Sequence, residues 1–384
     1  MALSSTSARH GVIPAIQTVI RMMQRPVGEI VPGKDLVASQ EPTPTVVGND
    51  QVLLQRLYLS LDPAMRGWMR DIPSYMPPVQ VGAVMRGYTI SQVVVAADGS
   101  QSGRFQVGDI VVDNSMVGGW DQYAVVPAKK CSKLPMLDNN IPMTAHLSVL
   151  GLTGMTAYFG LMKVGKPQPG ETILVSAAAG ATGSVVAQIA KNVVGCKVVG
   201  IAGGPQKCQW LLDQVGCDAV IDYKLANGDG RKFQKQLQQA LKQVDSKGYD
   251  IFFDNVGGFI LNETLRRLNL RGRVVLCGAI SGYNVEDQRS TQVVPPTNYM
   301  ALISLRAKIE GFIVTDYVRE YKEAKRQMAE WIAQGKIKYK EDVREGLEQA
   351  PEHLKSLFNG GNTGKLIVKV GEPMTGTTMH RSKL

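Results

Sequence analysis

A chain of 384 residues is long enough for two domains and a large core. Its formal charge of +10 comes from Lys and Arg residues spread thinly, without the dense basic block and interleaved aromatics of a nucleic-acid binder, and no apolar run approaches the roughly 20 residues of a membrane-spanning helix. The cysteines, Cys131, Cys196, Cys208, Cys217 and Cys277, are odd in number, irregular in spacing and free of any C-x-x-C pair, which argues against a disulfide framework or a cysteine-rich zinc lobe and for a reducing compartment.

Residues 1–15 are small and polar and read as a disordered extension. Arg9, Arg21 and Arg25, with no acid before Glu29, resemble a mitochondrial presequence, but Ile16–Met23 also reads as a first strand, which a cleaved presequence would not be. From Ile16 to about Pro127, short apolar runs (Val52–Leu61, Ile90–Ala97, Ile110–Asp113, Tyr123–Val126) alternate with Gly and Pro turns, as in a compact β-barrel. We assign 16–148 to this domain. Leu147–Gly165 reads as a helix. Strands and helices then alternate: Thr172–Ser176, Ser184–Lys191, Lys197–Ala202, Pro205–Val215, Ala219–Asp222, Gly230–Val244, Asp250–Asn255, Ile260–Leu268 and Arg273–Cys277. This alternation implies a doubly wound parallel sheet over 149–339, with further helices at Met300–Glu310 and Arg319–Gly335 and a strand within Lys308–Val314. The segment 340–371 ends in a strand, Lys365–Val370, expected to return to the first domain. The tail 372–384 ends in Ser382-Lys383-Leu384, the form of a peroxisomal address. A peroxisome-type organelle and its import receptor are therefore expected, with the cytoplasm as the alternative.

Between Thr172 and Lys191 a buried strand runs into Gly180 and Gly183, spaced A-x-x-G-x-x-G from Ala177, and then into an amphipathic helix. Strand, glycine turn and helix end place backbone N–H groups against a phosphate, so a dinucleotide is expected here. The second strand ends in Gly200-Ile201-Ala202-Gly203-Gly204, with no acid until Asp213 and with Lys207 opening the next helix. A carboxylate would repel a 2′-phosphate and Lys207 can pair with one, which selects NADPH over NADH; a solvated surface lysine is the alternative. His10, His146, His353 and His380 stand at no ligand spacing to a cysteine or to one another, so three protein ligands for a catalytic zinc are not evident, and no metal is expected. No G-x-S-x-G elbow occurs. The chemistry then rests on hydride delivery, shape and a few hydroxyls.

The segments Leu59–Met69, Val81–Gly87, Gly151–Leu161, Ser176–Lys191, Phe253–Gly258, Cys277–Asn284, Glu310–Val314 and Asn362–Val370 resemble, in order and over about residues 16–371, the zinc-free branch of the medium-chain dehydrogenase/reductase superfamily. Within it they are similar to the leukotriene B4 12-hydroxydehydrogenase, prostaglandin reductase and alkenal double-bond reductase group. The resemblance implies an α/β fold, a Rossmann-type doubly wound sheet inserted into a GroES-like β-barrel, a cleft between them, and a homodimer. It implies that Gly180, Ala181, Thr182 and Gly183 meet the pyrophosphate and that Lys207 and Tyr223 meet the 2′-phosphate. Asn255 and the loop Cys277, Gly278, Ala279, Ile280, Ser281, Gly282 and Tyr283 would line the nicotinamide side, with Phe312, Ile313, Val314 and Asn362 closing over it. For Asn255 and Asn362 the alternative is loop capping.

Tyr283 is the expected catalytic group. Hydride addition at the β-carbon of an enone pushes charge onto the carbonyl oxygen, and a hydroxyl near that oxygen, or near the nicotinamide ribose hydroxyl, stabilises it. A plain wall of the cofactor pocket is the alternative role. Tyr58, Ala64 and Met65 are expected on the substrate side. Ala64 stands where the family commonly has tyrosine in Asp62-Pro63-Ala64-Met65-Arg66, with Trp68 and Tyr58 near enough in sequence to compensate, and Ala83 replaces a frequent acid. Trp120-Asp121-Gln122-Tyr123 matches a family turn assigned to the barrel. The expected activity is NADPH-dependent reduction of the C=C bond of α,β-unsaturated aldehydes or ketones. A zinc-free quinone reductase and a nucleotide-bound, RNA-associated binding protein are the alternatives.

Overall fold

Alternating apolar residues build the first third of the chain from strands. The computed structural model describes residues 12–45, 48–99, 102–134, 141–285 and 295–374; most of the expected N-terminal extension and the Ser382-Lys383-Leu384 end lie outside them. Strand β1 (Ile16–Met22) pairs antiparallel with β2 (Leu36–Pro42). The sequence reading does not find β2, because only Leu36 of its seven residues is fully buried and the strand runs into polar Ser39, Gln40 and Glu41. Next come β3 (Gln51–Ser60), β4 (Thr89–Ala96), β5 (Ile110–Asp113), β6 (Tyr123–Pro127) and β7 (Cys131–Lys133). β3 is central, flanked by β4 and by β6. It also carries a buried charge. Arg56 Nη1 reaches Asp113 Oδ2 at 2.6 Å and its Nε reaches Asp121 Oδ1 at 2.9 Å, with no part of the arginine side chain exposed. This explains the Trp120–Tyr123 turn as barrel structure. Replacing Arg56 by alanine is expected to cost about 3–5 kcal/mol, since it strands the buried Asp113 and Asp121 carboxylates; a urea midpoint unchanged from wild type would contradict this.

A parallel six-stranded sheet follows: β8 (Thr172–Val175), β9 (Lys197–Ala202), β10 (Ala219–Asp222), β11 (Tyr249–Asp254), β12 (Leu268–Leu276) and β13 (Lys308–Gly311), in the order β10-β9-β8-β11-β12-β13. It is buried on both faces. Ile173 and Val175 enter one apolar cluster while Leu174 enters the other, as a period of two requires. The strand order reverses between β8 and β11, so a crevice opens beyond their carboxyl ends. The chain then returns through β14 (Glu341–Glu345) and β15 (Lys365–Lys369), which join the barrel sheet in the order β14-β15-β3-β4-β5-β7.

Several elements differ from the sequence reading. The helix expected from Leu147 begins only at Leu152 (α2, Leu152–Phe159), because the backbone folds over itself before it: a Cβ on Gly154 would sit 1.7 Å from the Val149 carbonyl oxygen. The helix expected over Met300–Glu310 is limited to Ala301–Leu305 and ends at Arg306, whose φ of +48° is left-handed. The strand Glu341–Glu345 is too polar to announce itself, and it forms because β15 offers it a parallel partner.

Candidate active site

The crevice beyond β8 and β11 is one wall of a cavity of about 770 Å³ whose other wall comes from the barrel. At its Rossmann-type end the chain leaves β8 through the glycine turn and enters helix α3 (Ala181–Gln188). Gly180, Ala181, Thr182 and Gly183 all line the cavity. A Cβ on Gly183 would stand 2.4 Å from the Ala177 carbonyl oxygen and 2.8 Å from the Ala178 Cα, so only glycine permits this close a turn. The turn is tied to the barrel: Gly364 N–H, next to β15, donates to Ala179 O at 3.0 Å. The first turn of α3 thus faces the cavity with its positive end, a fit for a pyrophosphate.

Lys207, Tyr223 and Lys224 line the cavity close to one another, Tyr223 and Lys224 beside Gly203. The neighbouring acid, Asp222, turns its Oδ1 onto the backbone N–H groups of Gly204 at 3.0 Å and Lys224 at 3.1 Å. Lys207 Nζ donates to Gly360 O at 3.0 Å, which leaves two of its three N–H groups for a ligand. Burial, and then the neighbouring Lys224 charge, pull the Lys207 pKa down. Two cations held together beside a tyrosine fit a phosphate. Lys224 was missed in the sequence because nothing but its place after Tyr223 marks it.

Near the middle of the cavity, Asn255 caps β11. Its Nδ2 donates to Ser176 O at 2.7 Å and its N–H to Ser176 Oγ at 2.8 Å. Beside it, Cys277 is a wall and not a nucleophile, because burial pushes its thiol up to about 12. Gly278, Ile280, Ser281 and Tyr283 line the cavity, whereas Ala279 and Gly282 belong to the same loop without reaching its surface. Ala279 acts through its backbone: its N–H donates to the Tyr283 hydroxyl at 3.2 Å. Burial raises the Tyr283 phenol above its ordinary value, so it stays protonated at neutral pH. Phe312, Ile313 and Val314 follow β13 and line the cavity, as does Asn362, whose Nδ2 donates to Gly364 O at 2.9 Å.

The Tyr283 loop is clasped by the barrel. Arg70 Nη2 donates to the Tyr283 carbonyl at 2.6 Å and to the Val285 carbonyl at 2.9 Å. Removing this clasp should loosen the phenol while leaving the pyrophosphate turn and the Lys207 cluster in place. Arg70→Ala is expected to lower kcat roughly tenfold with the NADPH dissociation constant unchanged; equal kcat in the variant would show that the loop holds its shape alone.

The substrate side needs two corrections. Ala64 lines the cavity, but Met65 and Tyr58 do not. Helix α1 (Met65–Trp68) begins after Ala64, and residues four apart share a helix face, so Ala64 and Trp68 look into the cavity while Met65 turns into the barrel core. Tyr58 lies inside β3 between Ile90 and Lys369, short of the strand end where the wall starts at Leu61. The wall is instead completed by Tyr75, Met76 and Tyr88. It also contains a buried ion pair: Lys365 Nζ donates to Asp62 Oδ1 at 2.6 Å and to Leu61 O at 2.7 Å.

Among the described residues no group of three or more His, Cys, Asp and Glu side chains is placed to hold a metal ion. Residues 19–134 match the family described as the N-terminal domain of oxidoreductase, and residues 181–334 match the one described as zinc-binding dehydrogenase. The chain is 38% identical over 350 residues to an Escherichia coli NADPH-dependent curcumin reductase, covering 91% of this chain and 95% of the relative. It is 38% identical over 325 residues to a Nicotiana tabacum 2-alkenal reductase (NADP(+)-dependent), covering 84% and 88%. The crystal structure of CurA from Vibrio vulnificus in complex with NADPH superposes with a TM-score of 0.82 at 38% identity, covering 93% of this chain and all of that one.

Proposed function

The chain belongs to the zinc-free reductase group of the medium-chain dehydrogenase/reductase superfamily, and from that membership we propose that it reduces the C=C bond of α,β-unsaturated aldehydes and ketones with apolar substituents, hydride going to the β-carbon. It is an NADPH-dependent oxidoreductase acting on CH–CH bonds. Bound NADPH supplies the hydride. The chain supplies the rest. Gly180 to Gly183 seat the pyrophosphate, and Lys207, Tyr223 and Lys224 seat the 2′-phosphate. Ala64, Met76 and Tyr88 hold the apolar part of the substrate and exclude water.

The observation that carries this reading is Tyr283. Its hydroxyl accepts from Ala279 N–H, and burial raises a phenol pKa that already lies above neutrality, so the hydroxyl keeps its proton to donate to an acceptor in the cavity. A carbonyl oxygen that becomes an enolate oxygen gains a stronger bond as charge develops, which lowers the barrier. Water or the phenol then protonates the α-carbon. NADPH consumption measured side by side with a short 2-alkenal, a long-chain enone and a quinone tests the proposal. Turnover of the two enones well above the quinone is expected; a quinone preferred to both, or no turnover of any with NADPH tightly bound, would overturn it.

A further inference from the structure

Tyr75 lies outside both the nucleotide turn and the Tyr283 loop, on the segment after α1. Its hydroxyl accepts a hydrogen bond from Trp68 Nε1 at 2.9 Å, and both side chains line the cavity. An indole N–H can only donate, so this bond fixes the phenol as an acceptor on that side and leaves its own proton to point elsewhere. Tyr283 is held in the same manner by Ala279 N–H. Among the described residues, neither phenol proton is given to a protein acceptor. Tyr75 follows α1 on the barrel side and Tyr283 follows β12 of the parallel sheet, and both residues line one cavity. Trp68 is almost fully buried, whereas Tyr75 is 53% exposed to the open cleft, the arrangement of a rigid support and an accessible donor. Ala64, on the same helix face as Trp68, leaves room beside them.

We propose that Tyr75, fixed by Trp68, is a second hydrogen-bond donor to the substrate carbonyl oxygen, acting across the cleft from Tyr283. The proposal rests on the enone reading above. It narrows the substrates to enals and enones whose carbonyl oxygen is open to two donors at once. Tyr75 touches the substrate; Trp68 is a positioning residue. The cleft walls crowd both phenols enough to raise them above their ordinary value, which keeps both in the donating form at neutral pH.

The test is a double-mutant cycle on Trp68→Phe and Tyr75→Phe, with kcat and KM for a short 2-alkenal and the NADPH dissociation constant read by fluorescence. Tyr75→Phe should lower kcat roughly 10- to 100-fold with NADPH affinity unchanged. Trp68→Phe keeps a ring but loses the N–H, and should lower kcat about threefold or more. In the Tyr75→Phe background it should add nothing, because the hydroxyl it positions is gone. A wild-type kcat in Tyr75→Phe, or the full Trp68→Phe loss repeated in the double variant, would overturn the proposal alone. Wild-type protein that binds NADPH but turns over no alkenal would overturn the enone reading and the proposal with it.

Discussion

Replacing Tyr283 by phenylalanine is expected to lower kcat for a 2-alkenal by about 10²-fold while leaving the NADPH dissociation constant within about twofold. The substitution keeps the ring that walls the cavity and removes only the hydroxyl that Ala279 N–H orients. A group that acts only as a wall would leave kcat unchanged, so steady-state kinetics and a cofactor titration separate the two roles. The pH profile adds a second readout. Burial raises the phenol's pKa, so its donating form persists through neutral pH, and kcat should fall as pH rises through that raised value. The same alkaline decline should be weaker in the phenylalanine variant, because one of the groups that titrates is gone.

Lys207→Ala is expected to raise KM for NADPH by roughly 10- to 100-fold and to leave KM for NADH nearly unchanged, the loss of one or two charge-assisted hydrogen bonds to a phosphate. Two features make the effect specific. Asp222, the carboxylate at the β10 end, has its Oδ1 turned onto the Gly204 and Lys224 N–H groups. Lys224 remains in the variant, so the discrimination should shrink without vanishing, and the Lys207→Ala/Lys224→Ala double variant should lose it. An equal rise in KM for both cofactors would contradict the assignment and return Lys207 to its Gly360 contact alone.

The nucleotide half of this site is legible in the sequence because its signals are local. Strand, glycine turn and helix follow one another between Thr172 and Lys191, and Lys207 lies one β-α unit further on. The parallel sheet is legible for the same reason, since each strand is a short apolar run bounded by turns. The substrate half is not, because it is assembled from distant segments. Arg70 meets the Tyr283 carbonyl across 213 residues, and Lys365 meets Asp62 across 303. No spacing rule marks such pairs. Trp68 and Tyr75 are close in sequence, but their bond depends on a turn of chain after α1 that composition does not specify. Met65 and Tyr58 show the cost of reading a motif without its phase. One helix step carries Met65 from the cavity to the core, and the strand holds Tyr58 below the rim.

Hydride is expected to reach the β-carbon of an enone. The most direct measurement uses NADPH carrying deuterium at the transferable C4 position, a 2-alkenal as substrate, and NMR of the product. Deuterium at the β-carbon of a saturated aldehyde is the expected result. Deuterium at the carbonyl carbon of an allylic alcohol, with the double bond intact, would contradict it.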